Sequence, residues 1–307
     1  MAMRVRVVVC GFGKVGRNFA RLLDSKSQTI SSQYGIKLEL AGVGELNGSV
    51  LSSGAISPGK LADFFEAHGD LSGFPDAGKP GLEGLDIIRQ AVKPDVLVET
   101  TPTNIETGEP ALTHIRTAIE RGMHVVSANK GPFIRNYREL KSLAKKNDAT
   151  LKLSAAAAAA LPTLDVAQTC LAGTEIKAIE GVLNGTCNYI LTRMEREGVS
   201  FEDALADAQR LGYAEADPTA DVDGFDAQAK LAILVGVGLG CQVNVSDIAL
   251  GSIRPVSAID FSYAKRLGCV IRQVARAELL PDGGEIRAAV QPALVPEDSS
   301  LARVDGT

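Results

Sequence analysis

Asp226 and Lys230 stand four residues apart in a stretch dense with carboxylates: Glu215, Asp217, Asp221 and Asp223 precede them and an apolar run, Leu231 to Leu239, follows. A helix through positions 226 and 230 places both charged heads on one face. On a plain protein surface such a pair contributes about 0.3–0.5 kcal/mol. Beside a redox cofactor it has a further use. A lysine next to a carbonyl oxygen stabilises the negative charge that grows there as hydride arrives, and then delivers the proton. The carboxylates around it suit a substrate that carries an ammonium group.

The other end of the chain supplies the motif that such chemistry needs. Val5 to Cys10 is a β-branched apolar run suited to a strand buried on both faces. It leads into Gly11-Phe12-Gly13-Lys14-Val15-Gly16 and then a helical pattern through Phe19, Leu22 and Leu23. In this setting Gly11 permits the tight turn, Gly13 lets the backbone approach a pyrophosphate, and Gly16 lets the helix pack on the strand. The helix N-terminus offers N–H groups and partial positive charge to the phosphates. A glycine triplet alone is weak, but its place between a first strand and a first helix points to a dinucleotide. Val43-Gly44-Glu45 ends the next strand with a carboxylate able to bind ribose hydroxyls, which favours NAD over NADP. The polar Ser25 to Gly35 stretch reads as a long connection that delays Glu45, and Lys60 is the nearest following cation for a 2′-phosphate.

The elements that position these groups alternate as a parallel doubly wound sheet requires. Strands are expected at 36–43, 96–99, 124–127 and 150–153, with helices at 107–121 and 137–146. Ligands in such sheets lie beyond the carboxyl ends of the strands. Two loops meet that condition: Thr100-Thr101-Pro102-Thr103-Asn104, and Ser127 to Pro132 with Lys130 at the exit of a buried strand. The junction is placed at 153/154, making residues 1–153 a nucleotide domain and 154–307 an α/β substrate and dimerisation domain. In the second part helices are expected at 162–171, 188–196, 201–211 and 231–239, and strands at 176–183, 264–269, 270–279 and 286–291. Pro281-Asp282-Gly283-Gly284 reads as the turn between the last two.

Bulk properties exclude several classes. The 307 residues are 45% apolar and 22% charged, which fits a globular protein of one large or two ordinary domains. A net charge of -5 and the absence of any Lys/Arg run argue against nucleic acid as a partner. The longest apolar run, 231–243, is too short to cross a bilayer, and Met1 to Cys10 is too short and too charged for a signal peptide. The five cysteines have no short paired spacing, which reads as reduced thiols in a cytoplasmic protein without zinc. His68, His114 and His124 are dispersed, and each reads better as a satisfied histidine than as a metal ligand.

With these residues in place the chain resembles the homoserine dehydrogenases. The matching stretches are the Gly11 to Arg17 turn, Ser127-Ala128-Asn129-Lys130, Leu183-Asn184-Gly185-Thr186-Cys187-Asn188-Tyr189-Ile190, and Gly212-Tyr213-Ala214-Glu215-Ala216-Asp217-Pro218 with Asp221, Asp226 and Lys230 downstream. The resemblance implies an N-terminal Rossmann domain, reversible reduction of aspartate 4-semialdehyde to homoserine with NAD(P)H, a place in the biosynthesis of threonine and methionine, and a homodimer. It implies that Lys130 and Lys230 are the catalytic lysines. Glu215, Asp221 and Asp226, with Asn184, Gly185 and Thr186, would then bind the substrate. Gly11 to Gly16, Glu45, Thr100, Thr101 and Lys130 would serve the cofactor.

Two departures accompany it. Ser154 to Pro162 carries Ala158 and Ala160 where the family usually has glycines, often at a monovalent-cation site, so a small-residue hinge is expected and a cation site is doubtful. The sequence also stops near the point where the family turns back toward the nucleotide domain, which leaves an inactive, regulatory or shortened form as the alternative. Another amino-acid or semialdehyde reductase on the same scaffold is the remaining competitor, and the carboxylates around Lys230 argue against it where the substrate is neutral.

Overall fold

A computed structural model describes residues 2–46, 48–281 and 285–305. The expected turn at 281–284 lies, from Asp282 to Gly284, outside the described residues. Two compact units divide the chain, Met1–Leu161 and Pro162–Thr307.

In the first unit β1 (Met3–Cys10) and α1 (Lys14–Tyr34) flank the glycine turn, and β2 (Ile36–Gly44) lies parallel to β1. The polar stretch from Ser25 is therefore helix and not connection. Its side chains from Asp24 to Thr29 are exposed, so the outer half of α1 carries no apolar stripe to betray it. After β2 the chain adds β3 (Ser49–Ile56), α2 (Pro58–His68) and β4 (Gly78–Lys79), and both short strands pair antiparallel. Next come α3 (Gly84–Gln90), β5 (Val96–Glu99), α4 (Ala111–Glu120), β6 (His124–Ser127), α5 (Gly131–Lys146) and β7 (Leu151–Lys152). The strand order β4-β3-β2-β1-β5-β6-β7 reverses direction between β1 and β5, the switch point where doubly wound sheets bind ligands. The apolar core under that point gathers Val7, Val9, Phe12, Leu40, Val43 and Leu61.

α4 begins at Ala111 rather than at Thr107, because Gly108 is left-handed and Pro110 forms the N-cap. α5 begins six residues before the expected start, since Pro132 sits in its first turn where a missing N–H costs nothing. The alanine segment forms α6 (Ser154–Ala158) and ends at Ala159, whose φ of 50 and ψ of -112 are unusual for a residue with a Cβ.

The second unit opens with α7 (Thr163–Asp165), widening into a π-turn at Val166–Cys170, and β8 (Ala178–Gly181). Four helices follow: α8 (Gly185–Glu197), α9 (Phe201–Arg210), α10 (Thr219–Val222) and α11 (Phe225–Leu234). α11 runs on as a π-turn to Leu239, so the helix expected at 231–239 starts earlier and takes in Asp226 and Lys230. The remaining elements are β9 (Ala249–Leu250), α12 (Ala258–Arg266), β10 (Cys269–Leu279) and β11 (Ile286–Pro296). The strand expected at 264–269 is the end of α12. Ser257 and Asp260 form a capping box that starts this helix, and Gly268, left-handed, separates it from β10. The sheet order is β8-β10-β11-β9, with β10 antiparallel to both β8 and β11. Ile190, Leu191 and Met194 of α8 pack with Phe201 of α9 and Ile271 of β10.

Candidate active site

The first unit holds a cavity of about 350 Å³ at the carboxyl edge of β1, β2 and β5. Gly11, Gly13, Lys14 and Val15 line one side, and Thr100 and Thr101 with Pro102 and Thr103 line another; Glu45 and Ala128 complete it. The glycines differ in what they do. A Cβ on Gly11, whose φ is +88, would stand 2.6 Å from the Thr100 carbonyl and the Thr101 nitrogen. One on Gly16 would overlap the Gly11 carbonyl oxygen, whereas one on Gly13 meets nothing within 4 Å. Gly11 and Gly16 are therefore needed for packing the turn, and Gly13 leaves open space on the cavity side. That cradle, opening onto the first turn of α1, fits a pyrophosphate, with Lys14 supplying a nearby cation.

Glu45 reaches this site directly. One carboxylate oxygen accepts the Phe12 N–H at 2.6 Å and the other the Leu46 N–H at 3.0 Å. Phe12 itself points away, fully buried and edge-on to Phe65. Lys60 is exposed on α2 and is not among the lining residues. Thr100 braces the glycine turn, its Oγ1 donating to the Gly11 carbonyl at 2.7 Å. Lys130 forms the N-cap of α5, half-buried, with Asn129 accepting the Gly131 N–H at 3.0 Å beside it.

In the second unit a polar cluster forms where α8 and α11 begin. Asn184 caps α8 through its Oδ1, which accepts the Cys187 N–H at 2.9 Å. Its Nδ2 donates to Asp221 at 2.6 Å and to Asp226 at 3.1 Å. Lys230 Nζ lies 2.7 Å from Asp226 Oδ2 and donates to the Leu183 carbonyl at 2.8 Å. Both side chains of this pair are about one-fifth exposed. Gly224, with φ 88, makes the turn that starts α11 at the right height. Gly185 opens α8, and Thr186 Oγ1 donates to the Tyr213 carbonyl at 2.8 Å, tying that helix to the loop after α9. Burial, followed by the charges of Asp221 and Asp226, pushes the Cys187 thiol well up, so it remains protonated.

The remaining carboxylates separate by role. Asp223 is engaged by Ser252 and Arg254. Asp217 accepts the Thr219 N–H of its own loop at 3.1 Å. Glu215 is exposed on the loop before Pro218, where its carbonyl accepts from Gln209. Of the acids the sequence offers for a substrate ammonium, Asp226 pairs with the lysine directly, and Asp221 joins through Asn184. Sequence reasoning also misses the buried partners of the nucleotide loop. Glu99 accepts hydrogen bonds from the Thr101 N–H and hydroxyl, and its other oxygen lies 2.8 Å from His114 Nδ1. A glutamate ending an otherwise apolar strand is the one signal that could have found them. His124, by contrast, does as expected for an edge histidine, its Nδ1 accepting the Thr150 N–H at 3.0 Å.

A switch-point cavity cradled by a glycine turn, in a chain whose other unit presents a lysine–carboxylate cluster, defines a nicotinamide-dependent oxidoreductase. Residues 11–154 match the family described as "Homoserine dehydrogenase, NAD binding domain", and residues 162–307 match "Homoserine dehydrogenase". The homoserine dehydrogenase of Methanocaldococcus jannaschii is 36% identical over 98% of this chain and 87% of its own length. The NAD(+)-dependent homoserine dehydrogenase of Pseudomonas canavaninivorans is 35% identical over 97% of this chain and 84% of its own. A hyperthermophilic archaeal homoserine dehydrogenase, solved in complex with NADPH, superposes with a TM-score of 0.82 at 30% identity, over 99% of this chain and 86% of that one. The chain belongs to the homoserine dehydrogenase family of NAD(P)-dependent oxidoreductases acting on a hydroxyl group. No helix among the described residues is long and apolar enough to cross a membrane.

Proposed function

We propose that the chain interconverts homoserine and aspartate 4-semialdehyde in the aspartate pathway, with Lys230 as proton donor and acceptor at the reacting oxygen. The observation that carries this is the Asp226–Lys230 pair, held at the start of α11 with Asn184 and Asp221 around it. Bound coenzyme supplies or accepts the hydride. In the reducing direction the ammonium of Lys230 hydrogen-bonds the aldehyde oxygen, opposes the charge that grows there, and passes its proton to the nascent alcohol. Asp226 keeps that ammonium oriented through the i,i+4 contact. Asp221 and Asp226 also offer anionic oxygens to the substrate ammonium, and Glu215 can join them from its exposed loop. The backbone at Gly185 and the Thr186 side chain border the same helix start. Lys130, at the exit of β6, positions the substrate in this reading. Residues Gly11 to Gly16 hold the pyrophosphate, while Thr100 and Thr101 face the same cavity.

Glu45 favours NAD, because its carboxylate would repel a 2′-phosphate at the end of β2. A homodimer through the second unit is supported by one face of its sheet. Glu180, Arg276, Glu278 and Arg287 form a ladder of alternating charge there, with Val274 and Ala289 in the same hollow. A two-fold interface sets one patch against its own copy, and a face carrying both signs of charge suits that arrangement. The pathway and the thiol pattern together support a cytoplasmic enzyme. The deciding experiment is homoserine-dependent reduction of NAD and NADP, run in parallel. Turnover favouring NAD is expected; NADH binding without turnover would select the regulatory form.

A further inference from the structure

Three successive strands end side by side beneath the nucleotide cavity: Cys10 of β1 pairs with Glu99 of β5, and Glu99 with Ser127 of β6. Glu99 is fully buried there, and His114 of α4 nearly so. A buried carboxylate is costly unless every oxygen is engaged. Both are, and the partners lie on the path to the ligand. One oxygen faces His114 Nδ1 at 2.8 Å; the other takes the N–H and hydroxyl of Thr101, which lines the cavity.

The chain of bonds continues. Asn129, also buried, donates through Nδ2 to Thr101 Oγ1 at 3.2 Å, to the Thr101 carbonyl at 3.0 Å and to the Pro102 carbonyl at 3.2 Å. Its Oδ1 accepts the Gly131 N–H, and its own N–H donates to Ser127 Oγ at 3.1 Å. The backbone of Lys130 is thus pinned on both sides by a residue that Thr101 holds. A Cβ on Gly131 would overlap the Asn104 carbonyl, so the Lys130 loop also presses on the loop that Thr101 begins.

We propose that Glu99 and His114 are positioning residues for the reaction: together they set Thr101, and through Asn129 the Lys130 loop, in the geometry that binds the nicotinamide coenzyme. This rests on the coenzyme reading of the cavity. Packing alone would be served as well by an apolar pair of the same volume. A metal is the competing occupant, since Cys10, Glu99 and His114 place ligand atoms within 4.8 Å of one another. The Glu99 oxygens already serve three donors, and Cys10 is held as a thiol by burial, then by the charges of Glu99 and Glu45, so the donor set suits a hydrogen-bonded relay better.

The test is NADH affinity, read by nucleotide fluorescence on folded protein and so independent of turnover, with coenzyme and homoserine KM alongside. Glu99→Met keeps the volume and removes the bonds, and Glu99→Gln keeps one acceptor oxygen for the two Thr101 donors. Glu99→Met is expected to weaken NADH binding about fivefold or more, the equivalent of one lost hydrogen bond, while Glu99→Gln stays within about twofold of the parent. Coenzyme KM should rise with it and homoserine KM should not. His114→Leu and His114→Asn repeat the comparison from the other side of the pair, should Glu99→Met not fold. Unaltered NADH affinity in folded Glu99→Met or His114→Leu, with only the melting temperature lowered, would overturn the proposal. So would stoichiometric zinc in the purified protein. Loss of homoserine turnover in the parent chain with these NADH effects intact would fault the substrate reading and leave the positioning role standing.

Discussion

At the scale of single residues, the second unit separates carboxylates that look equivalent along the chain. Asp226 pairs directly with Lys230 and Asn184 ties it to Asp221, whereas Asp223 is engaged by Arg254 and Ser252. Lys230→Ala should therefore lower kcat by about 10²–10⁴-fold, measured on folded protein because the loss of Asp226's cation also lowers the melting temperature. Near-normal turnover in Lys230→Ala together with abolished turnover in Lys130→Ala would exchange the two lysine roles. Asp223 behaves differently. Hydrogen bonds from Arg254 and then Ser252 hold its carboxyl below the usual carboxylate range. A lowered folded-state value adds stability above the unfolded value of about 3.9, and that stability is lost as pH falls through the folded value. Asp223→Asn should then melt below the parent at neutral pH, with the gap closing as the buffer is taken toward pH ~3 and lower. A gap independent of pH would show that the charge is not what stabilises this site. The i,i+4 spacing of Asp226 and Lys230 is legible in the sequence, because a helix imposes it locally. The division of labour between Asp221 and Asp223 is not, since their partners Asn184 and Arg254 lie 37 and 31 residues away.

At the scale of elements, the strands entering the cavity are readable from the sequence and several of their neighbours are not. β5 and β6 fall at the expected residues: β5 is a short apolar run buried on both faces, and β6 alternates exposed and buried positions around its two valines. The outer half of α1 escapes because its side chains are exposed, and β3 because the small and exposed Ser52 to Ala55 interrupt its apolar residues Val50, Leu51 and Ile56. The end of α12 mimics a strand in composition, with Tyr263 and Leu267 exposed, and the capping box at its start is the local sign of a helix. The alanine hinge offers an element-scale prediction. Ala159 occupies a left-handed φ of 50, which glycine adopts without the Cβ penalty. Ala159→Gly should stabilise the protein by about 1 kcal/mol, measured by denaturant unfolding, in spite of the flexibility it adds to the unfolded chain. A destabilised Ala159→Gly would mean that the entropy term outweighs the strain.

At the scale of the whole molecule, the alternating charges of Glu180, Arg276, Glu278 and Arg287 make a prediction about assembly. Sedimentation of the parent chain should give a dimer. Arg276→Glu, which sets a third acid beside Glu180 and Glu278, should shift it toward monomer at low salt; a dimer unaffected by this change would place the interface elsewhere.

The sequence alone determined the dinucleotide turn, because its glycines act within a few residues of one another and their steric roles are local. It likewise carried the four-residue spacing of Asp226 and Lys230, though not the start of the helix that holds them, and the family resemblance that the comparisons bear out. Only the tertiary structure decided which groups surround them. Glu99 meets His114 across fifteen residues, and Asn184 meets Asp221 across thirty-seven. Contacts of that span are set by how strands order in a sheet and where helices dock, which depends on burial summed over the whole core rather than on any short pattern.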